Sequence, residues 1–246
     1  MKLGILETGK MADHLADEHG HYPELFQALL GGIQDLTLHA YEVVHGHFPD
    51  DAAECDAWLV TGSKYGVYDD EPWIAPLKTF LIAARERGVP MIGICFGHQI
   101  MAEAFGGRAE KSDRGWGCGA HEYEVLERPE WMEDPGDAFS MYAMHQDQVT
   151  ALPDDAVRLA TSPFCENAMV AWGDPATPDA ISIQPHPEFT TGLAKALVEF
   201  RRDTSIPVDV ADTALATLGS NAVQVRFFVQ SVANYLALKE KSPRTG

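Results

Sequence analysis

The strongest constraint on the fold is the apolar run 89–94 followed at once by Gly93-Ile94-Cys95-Phe96-Gly97-His98-Gln99 and the helical text of GHQIMAEAFGG. A strand that turns directly into a helix needs small residues on either side of the bend, because the backbone doubles back on itself there. The preceding PWIAPLKTFLIAARERG reads as a helix led by proline and stopped at Gly88. Helix, strand and helix thus follow one another without long linkers, the order of a parallel α/β sheet.

The rest of the N-terminal half agrees. KLGILE, LTLHAYEV and CDAWLV read as strands, and YPELFQALL between them has helical spacing. After residue 120 the pattern changes to short β-rich runs, HEYEVL, DAFSMYAMH, VRLATS, NAMVAWG and DAISIQ, expected to extend or cover the sheet. TGLAKALVEFRR, VADTALATL and AVQVRFFVQSVANYLALKEK are helical and are expected to pack back on the core.

The 246 residues are 46% hydrophobic, enough for one large α/β core, so a single domain over 1–246 is expected. There are 37 acidic and 18 basic residues, a formal charge of −19, whose field repels nucleic acid and anionic membranes. No run of about 18 apolar residues occurs and the first residues lack a secretory pattern. Cys55, Cys95, Cys118 and Cys165 form no C-x-x-C pair. A soluble chain in the reduced cytoplasm is expected. His14, His19, His21, His39, His45 and His47 lack the spacing of zinc motifs, so no metal is expected.

Cys95 stands at the strand-to-helix bend, with glycines two positions before and after it. The exposed N–H groups at the start of the following helix favour a thiolate, which makes Cys95 the candidate nucleophile. A second signal lies at Gln184-Pro185-His186-Pro187-Glu188. Each residue before a proline is driven out of the helical region, so Gln184 and His186 are expected to be extended. In an extended segment positions i and i+2 share one side, which lets Glu188 orient the His186 imidazole toward a common site. A histidine so held can take the thiol proton and return it to a leaving amine.

The elbow G-I-C-F-G-H-Q together with the later P-H-P-E resembles the class I glutamine amidotransferase family. Within it, the chain is most similar to free-standing members related to the amidotransferase domain of GMP synthase, and the resemblance covers about residues 40–200. It implies an open three-layer sandwich with a central, mostly parallel, flavodoxin-like sheet, here with extra helices over about 205–240. It also implies a catalytic triad of Cys95, His186 and Glu188 that needs no cofactor. By the same resemblance the backbone N–H groups of Ser63 and Phe96 form the oxyanion hole, and Gly62, Gln99, His145, Gln146 and Asp147 contact the substrate. Ser63 and Gln146 stand where the family carries glycine, and either side chain could reshape the pocket.

The reaction implied is hydrolysis of the glutamine side-chain amide through a γ-glutamyl thioester on Cys95. The chain has no G-x-x-x-x-G-K-[ST] loop, so any ammonia acceptor is expected to be a separate synthetase subunit. The alternatives are a hydrolase of γ-glutamyl peptides or amides and, from another class, a non-catalytic binding or regulatory module. The complete Cys, His and Glu set argues against the last.

Overall fold

In the computed structural model, which describes residues 1–219 and 223–241, the first strand shows how the sheet is covered. Along β1 (Lys2–Leu6), Leu3 and Ile5 point to one face and Leu6 to the other, and all three are buried. Both faces are therefore packed, as a parallel sheet requires.

β1 lies between β2 (Thr37–Tyr41) and β3 (Ala57–Val60), β3 pairs with β4 (Met91–Ile94), and β4 pairs with β11 (Ala180–Ile183), all in parallel. Beyond β11 the sheet continues antiparallel through β10 (Met169–Trp172), β9 (Ala156–Thr161), β6 (Gly117–Val125) and β7 (Ala138–His145). The nine strands run in the order β2-β1-β3-β4-β11-β10-β9-β6-β7. β5 (Arg108–Lys111) and β8 (Asp147–Ala151) form a separate antiparallel pair.

The helices cover both faces. Leu15 of α1 (Asp13–His19), Leu25 and Phe26 of α2 (Tyr22–Leu30), Leu193 and Leu197 of α5 (Thr191–Arg201), Ala211 of α6 (Val208–Thr217) and Phe228 of α7 (Val225–Glu240) share one cluster with Leu3 and Ile5. Leu77 and Leu81 of α3 (Ile74–Glu86) and Ile100 and Met101 of α4 (Phe96–Ala104) pack on the opposite face with Leu6, Trp58 and Val60. This is the expected three-layer α/β sandwich with helices added at its C-terminal end. None of the described helices is long and apolar enough to cross a membrane.

Three elements, α1, β5 and β8, lie outside the runs read from the sequence. The stretch around residues 13–19 is a helix, which its polar text conceals because Leu15 alone is buried. β5 and β8 escape the pattern because half or more of their residues are exposed or half-buried. The segment 144–149 is a corner: His145 ends β7, and Asp147 begins β8. Of the final helical text, Ala222 lies outside the described residues, Val223 and Gln224 precede the helix, and α7 runs from Val225 to Glu240.

Candidate active site

β4, in the interior of the sheet, delivers Cys95 at its C-terminal end, where it forms the N-cap of α4 with φ 52° and ψ −101°. A side chain at positive φ is strained, and the surrounding structure must hold it there. The flanking glycines show how. A Cβ on Gly97 would lie 2.3 Å from the Val60 carbonyl oxygen, and one on Gly93 would lie 2.7 Å from the Gly97 backbone. The bend can close only because both positions lack a side chain, as the sequence reading required.

His186 arrives from the end of β11. Its N–H donates to the Tyr142 carbonyl at 2.8 Å, an isolated antiparallel bridge that confirms the extended backbone at this residue. Glu188 does not follow in the same strand, however. Residues 187–188 form a turn in which the Phe189 N–H reaches the His186 carbonyl at 3.5 Å. Proline at the second position of such a turn presets its φ, so Pro187 folds Glu188 back onto the ring. Glu188 Oε1 then lies 2.7 Å from His186 Nδ1. Both residues are buried, and the Phe189 ring lies flat on the imidazole at 4.0 Å and 6°.

The Cys95 side chain is the other group that acts on the His186 ring. Burial alone would depress the imidazole, but electrostatic attraction by Glu188 and by Cys95 outweighs it and pushes His186 up to about 10. The imidazolium is thus favoured at neutral pH, with Nδ1 on the Glu188 carboxylate. A Cβ on Gly62 would come within 3.0 Å of His186 Cε1 and 3.8 Å of Cys95 Cβ, so Gly62 is pressed against the pair.

The segment 61–63 is tied to the end of β1 by Thr8, whose hydroxyl donates to the Thr61 carbonyl at 3.0 Å and whose N–H donates to Thr61 Oγ1 at 3.0 Å. Ser63 lines the cavity beside Cys95, but its hydroxyl donates to the Thr8 carbonyl at 2.7 Å and accepts from the Tyr65 N–H at 3.2 Å. Its oxygen is therefore engaged by the backbone. Among the described residues, no acceptor is found for the N–H of Ser63 or of Phe96.

An open cavity of about 340 Å³ lies over Cys95 and is lined by Ser63, Gln99, His145, Gln146 and Asp147. Gln99 Nε2 donates to the Asp147 carbonyl at 2.9 Å and to Gln184 Oε1 at 3.2 Å, so this side chain also fastens the corner between β7 and β8. His145 Nδ1 faces the Asp147 carbonyl at 3.1 Å, and Nε2 is buried with no partner among the described residues. Burial pushes His145 down to about 3, and a neutral ring that donates from Nδ1 presents a lone pair at Nε2. Asp147 Oδ2 accepts from the Tyr68 hydroxyl at 2.9 Å, and burial raises this carboxyl.

The sequence reading did not reach Thr8, Phe189, Tyr68 or the cavity residues Lys64, Lys111, Trp116 and Arg201. Phe189 could have been suspected from its place after the P-H-P-E run. The others carry no local signal, since they meet only in the folded chain.

Residues 35–202 match the model of the family described as "Glutamine amidotransferase class-I". The chain is 26% identical over 226 residues to gamma-glutamyl peptidase 4 of Arabidopsis thaliana, covering 89% of this chain and 88% of the relative. Over a shorter stretch of 78 residues it is 41% identical to a glutamine-hydrolysing GMP synthase subunit of Methanococcoides burtonii, covering 32% of this chain and 41% of that one. Among solved structures, a glutamine amidotransferase from Thermotoga maritima superposes with a TM-score of 0.73 at 18% identity, covering 98% of this chain and 99% of that one.

Proposed function

The chain belongs to the class-I glutamine amidotransferase family, and on that premise we propose that Cys95, His186 and Glu188 hydrolyse γ-glutamyl amide bonds, the side-chain amide of glutamine being the simplest. The observation that carries this reading is the gathering of Cys95 and His186 against Gly62, with Glu188 Oε1 at 2.7 Å from His186 Nδ1. The thiolate attacks the γ-carbonyl, and the backbone N–H groups of Ser63 and Phe96 stabilise the oxyanion by a few kcal/mol each. His186 gives its proton to the departing amine, and water then releases glutamate from the thioester. Gly62 keeps room for the reacting carbon. Gln99, Gln146 and Asp147 wall the substrate's amino-acid end, and the lone pair of His145 accepts from its ammonium.

A second reading within the same chemistry is hydrolysis of γ-glutamyl peptides rather than glutamine. Its support is the similarity to gamma-glutamyl peptidase 4 over nearly the full length of both chains, whereas the GMP synthase relative matches less than half of either. If ammonia is instead transferred, a separate synthetase subunit receives it, and adding that partner raises the turnover of glutamine. The GMP synthase likeness supports this reading.

The test is covalent labelling by a γ-glutamyl diazoketone. Burial raises the thiols of Cys55, Cys118 and Cys165, the last two to about 12, so they are poor nucleophiles at neutral pH. Mass spectrometry should find the adduct on Cys95 and lose it in Cys95→Ala. Equal modification of the other three cysteines would remove the proposal.

A further inference from the structure

Trp73 touches both of the segments that supply the oxyanion donors of the proposed reaction. It is the N-cap of α3 and is 2% exposed, and its carbonyl accepts from the Leu77 N–H at 3.0 Å, so the first turn of α3 fixes where its ring can go. The indole meets the Phe96 ring at 5.4 Å and 50°, one residue past the elbow sulfur. It also meets the Tyr65 ring at 5.8 Å and 67°, two residues past Ser63. Centroid separations of about 4.5–7 Å are those of aromatic pairs in contact.

Each ring passes the contact to one donor. Phe96 carries one N–H itself. Tyr65 donates its N–H to Ser63 Oγ at 3.2 Å, and the same hydroxyl donates to the Thr8 carbonyl at 2.7 Å, so Ser63 is held from two sides. The two segments are also joined directly, the Gly97 N–H donating to the Thr61 carbonyl at 3.2 Å. A single backbone bond would let them pivot about it, and the stack of Tyr65, Trp73 and Phe96 supplies a second point of contact.

The indole is not kept for a hydrogen bond of its own. Its Nε1 is buried with no partner among the described residues, and an unpaired buried donor opposes folding. Nor does close packing on every side demand so large a ring, because Trp73 also borders an open, largely apolar cavity of about 380 Å³ with Val44, Phe48, Pro72 and Pro76. What the breadth of the ring supplies is simultaneous contact with Phe96 and Tyr65. We propose that Trp73 is a positioning residue that sets the spacing between the Ser63 and Phe96 N–H groups, with the Ser63 hydroxyl as the second part of the same clamp. This inference rests on the amidase reading and adds the group that keeps its two donors aimed at one oxygen. Those donors act on the oxygen of the tetrahedral intermediate, so misplacing them slows the step in which that oxygen becomes charged and leaves the Cys95 thiolate as reactive as before.

The test separates attack on a carbonyl from the reactivity of the sulfur. Iodoacetamide alkylates a thiolate by displacement of iodide, with no oxyanion to stabilise, whereas glutamate release from glutamine passes through one. Trp73→Phe keeps a ring but narrows it, and should lower kcat for glutamine about tenfold with KM within about twofold of the parent. The second-order rate of Cys95 alkylation, followed by mass spectrometry, should stay at the parental value. Ser63→Ala keeps the N–H but loses both bonds of the hydroxyl, and should give the same pair of results. A parental kcat in either variant, or alkylation that falls in step with kcat, overturns this inference while leaving the amidase reading intact. A parent protein that releases no glutamate from glutamine or from any γ-glutamyl amide overturns both.

Discussion

The two sides of the cavity over Cys95 are built by different means. On one side β4, Cys95 and α4 are consecutive in the chain, and the bend is enforced by the contacts that Gly93 and Gly97 would lose if they carried side chains. On the other, Lys111 of β5, Trp116, the corner 145–147 and Arg201 of α5 come from segments far apart in sequence, and their contacts are ring stacking and a few polar bonds. The continuous side tolerates little change, while the assembled side can vary residue by residue. On the proposed reading, the difference separates the bond-breaking chemistry from the choice of what is broken.

The comparison breaks most sharply at the sulfur. Cys95→Ala should lower the turnover of glutamine and γ-glutamyl amides on the order of 10⁴-fold, measured as glutamate release, with circular dichroism unchanged. Residual activity within tenfold of the parent would move the chemistry away from the elbow.

Glu188→Gln comes next, with kcat lower by roughly 10²–10³-fold because the imidazole loses the carboxylate that orients and charges it. The pH response sharpens this point. His186 is raised from 6.5 to about 10 in the fold, so its ionic contribution to stability is complete below 6.5 and is lost as pH climbs toward about 10. Thermal unfolding of the parent should therefore weaken between pH 7 and 10, and Glu188→Gln should flatten that decline. Parallel Tm curves for the two proteins would contradict the assignment.

Gly97→Ala tests the rigidity of the continuous side. Its methyl would meet the Val60 carbonyl oxygen at 2.3 Å, and overpacking of this kind destabilises by about 1–3 kcal/mol, with activity falling as the bend is displaced. Denaturant unfolding measures the first effect. The smallest change belongs to the assembled side: Tyr68→Phe removes the bond to Asp147 at an exposed position and should raise KM by about fivefold with kcat and Tm little altered. A Tyr68→Phe effect on kcat as large as that of Gly97→Ala on stability would erase the distinction between the two sides.

That division also explains what the sequence revealed. The order of strands and helices was readable because buried strands such as β3 and β4 are uninterrupted apolar runs and the helices between them end at glycine. Cys95 and His186 were readable because their neighbours restrict the backbone: small residues around the first, prolines around the second. The path of Glu188 was less so. Pro187 fixes a turn where an extended chain was expected, and the two geometries deliver the same carboxylate to the same ring by different routes. The anchoring of Ser63 by Thr8 and the collection of Lys64, Lys111 and Arg201 left no trace, because a meeting of residues so far apart is decided by tertiary packing and has no period to read.

The φ of 52° at Cys95 also limits which atoms could ever stand at this point of the chain. A branched β-carbon has no tolerable rotamer on such a backbone, so threonine is closed as a substitute nucleophile, and serine is the only hydroxyl that fits. Glycine would relax the bend and should leave an inactive protein harder to unfold by about 1 kcal/mol. The proposed reactive atom is thus kept where the polymer would rather have none.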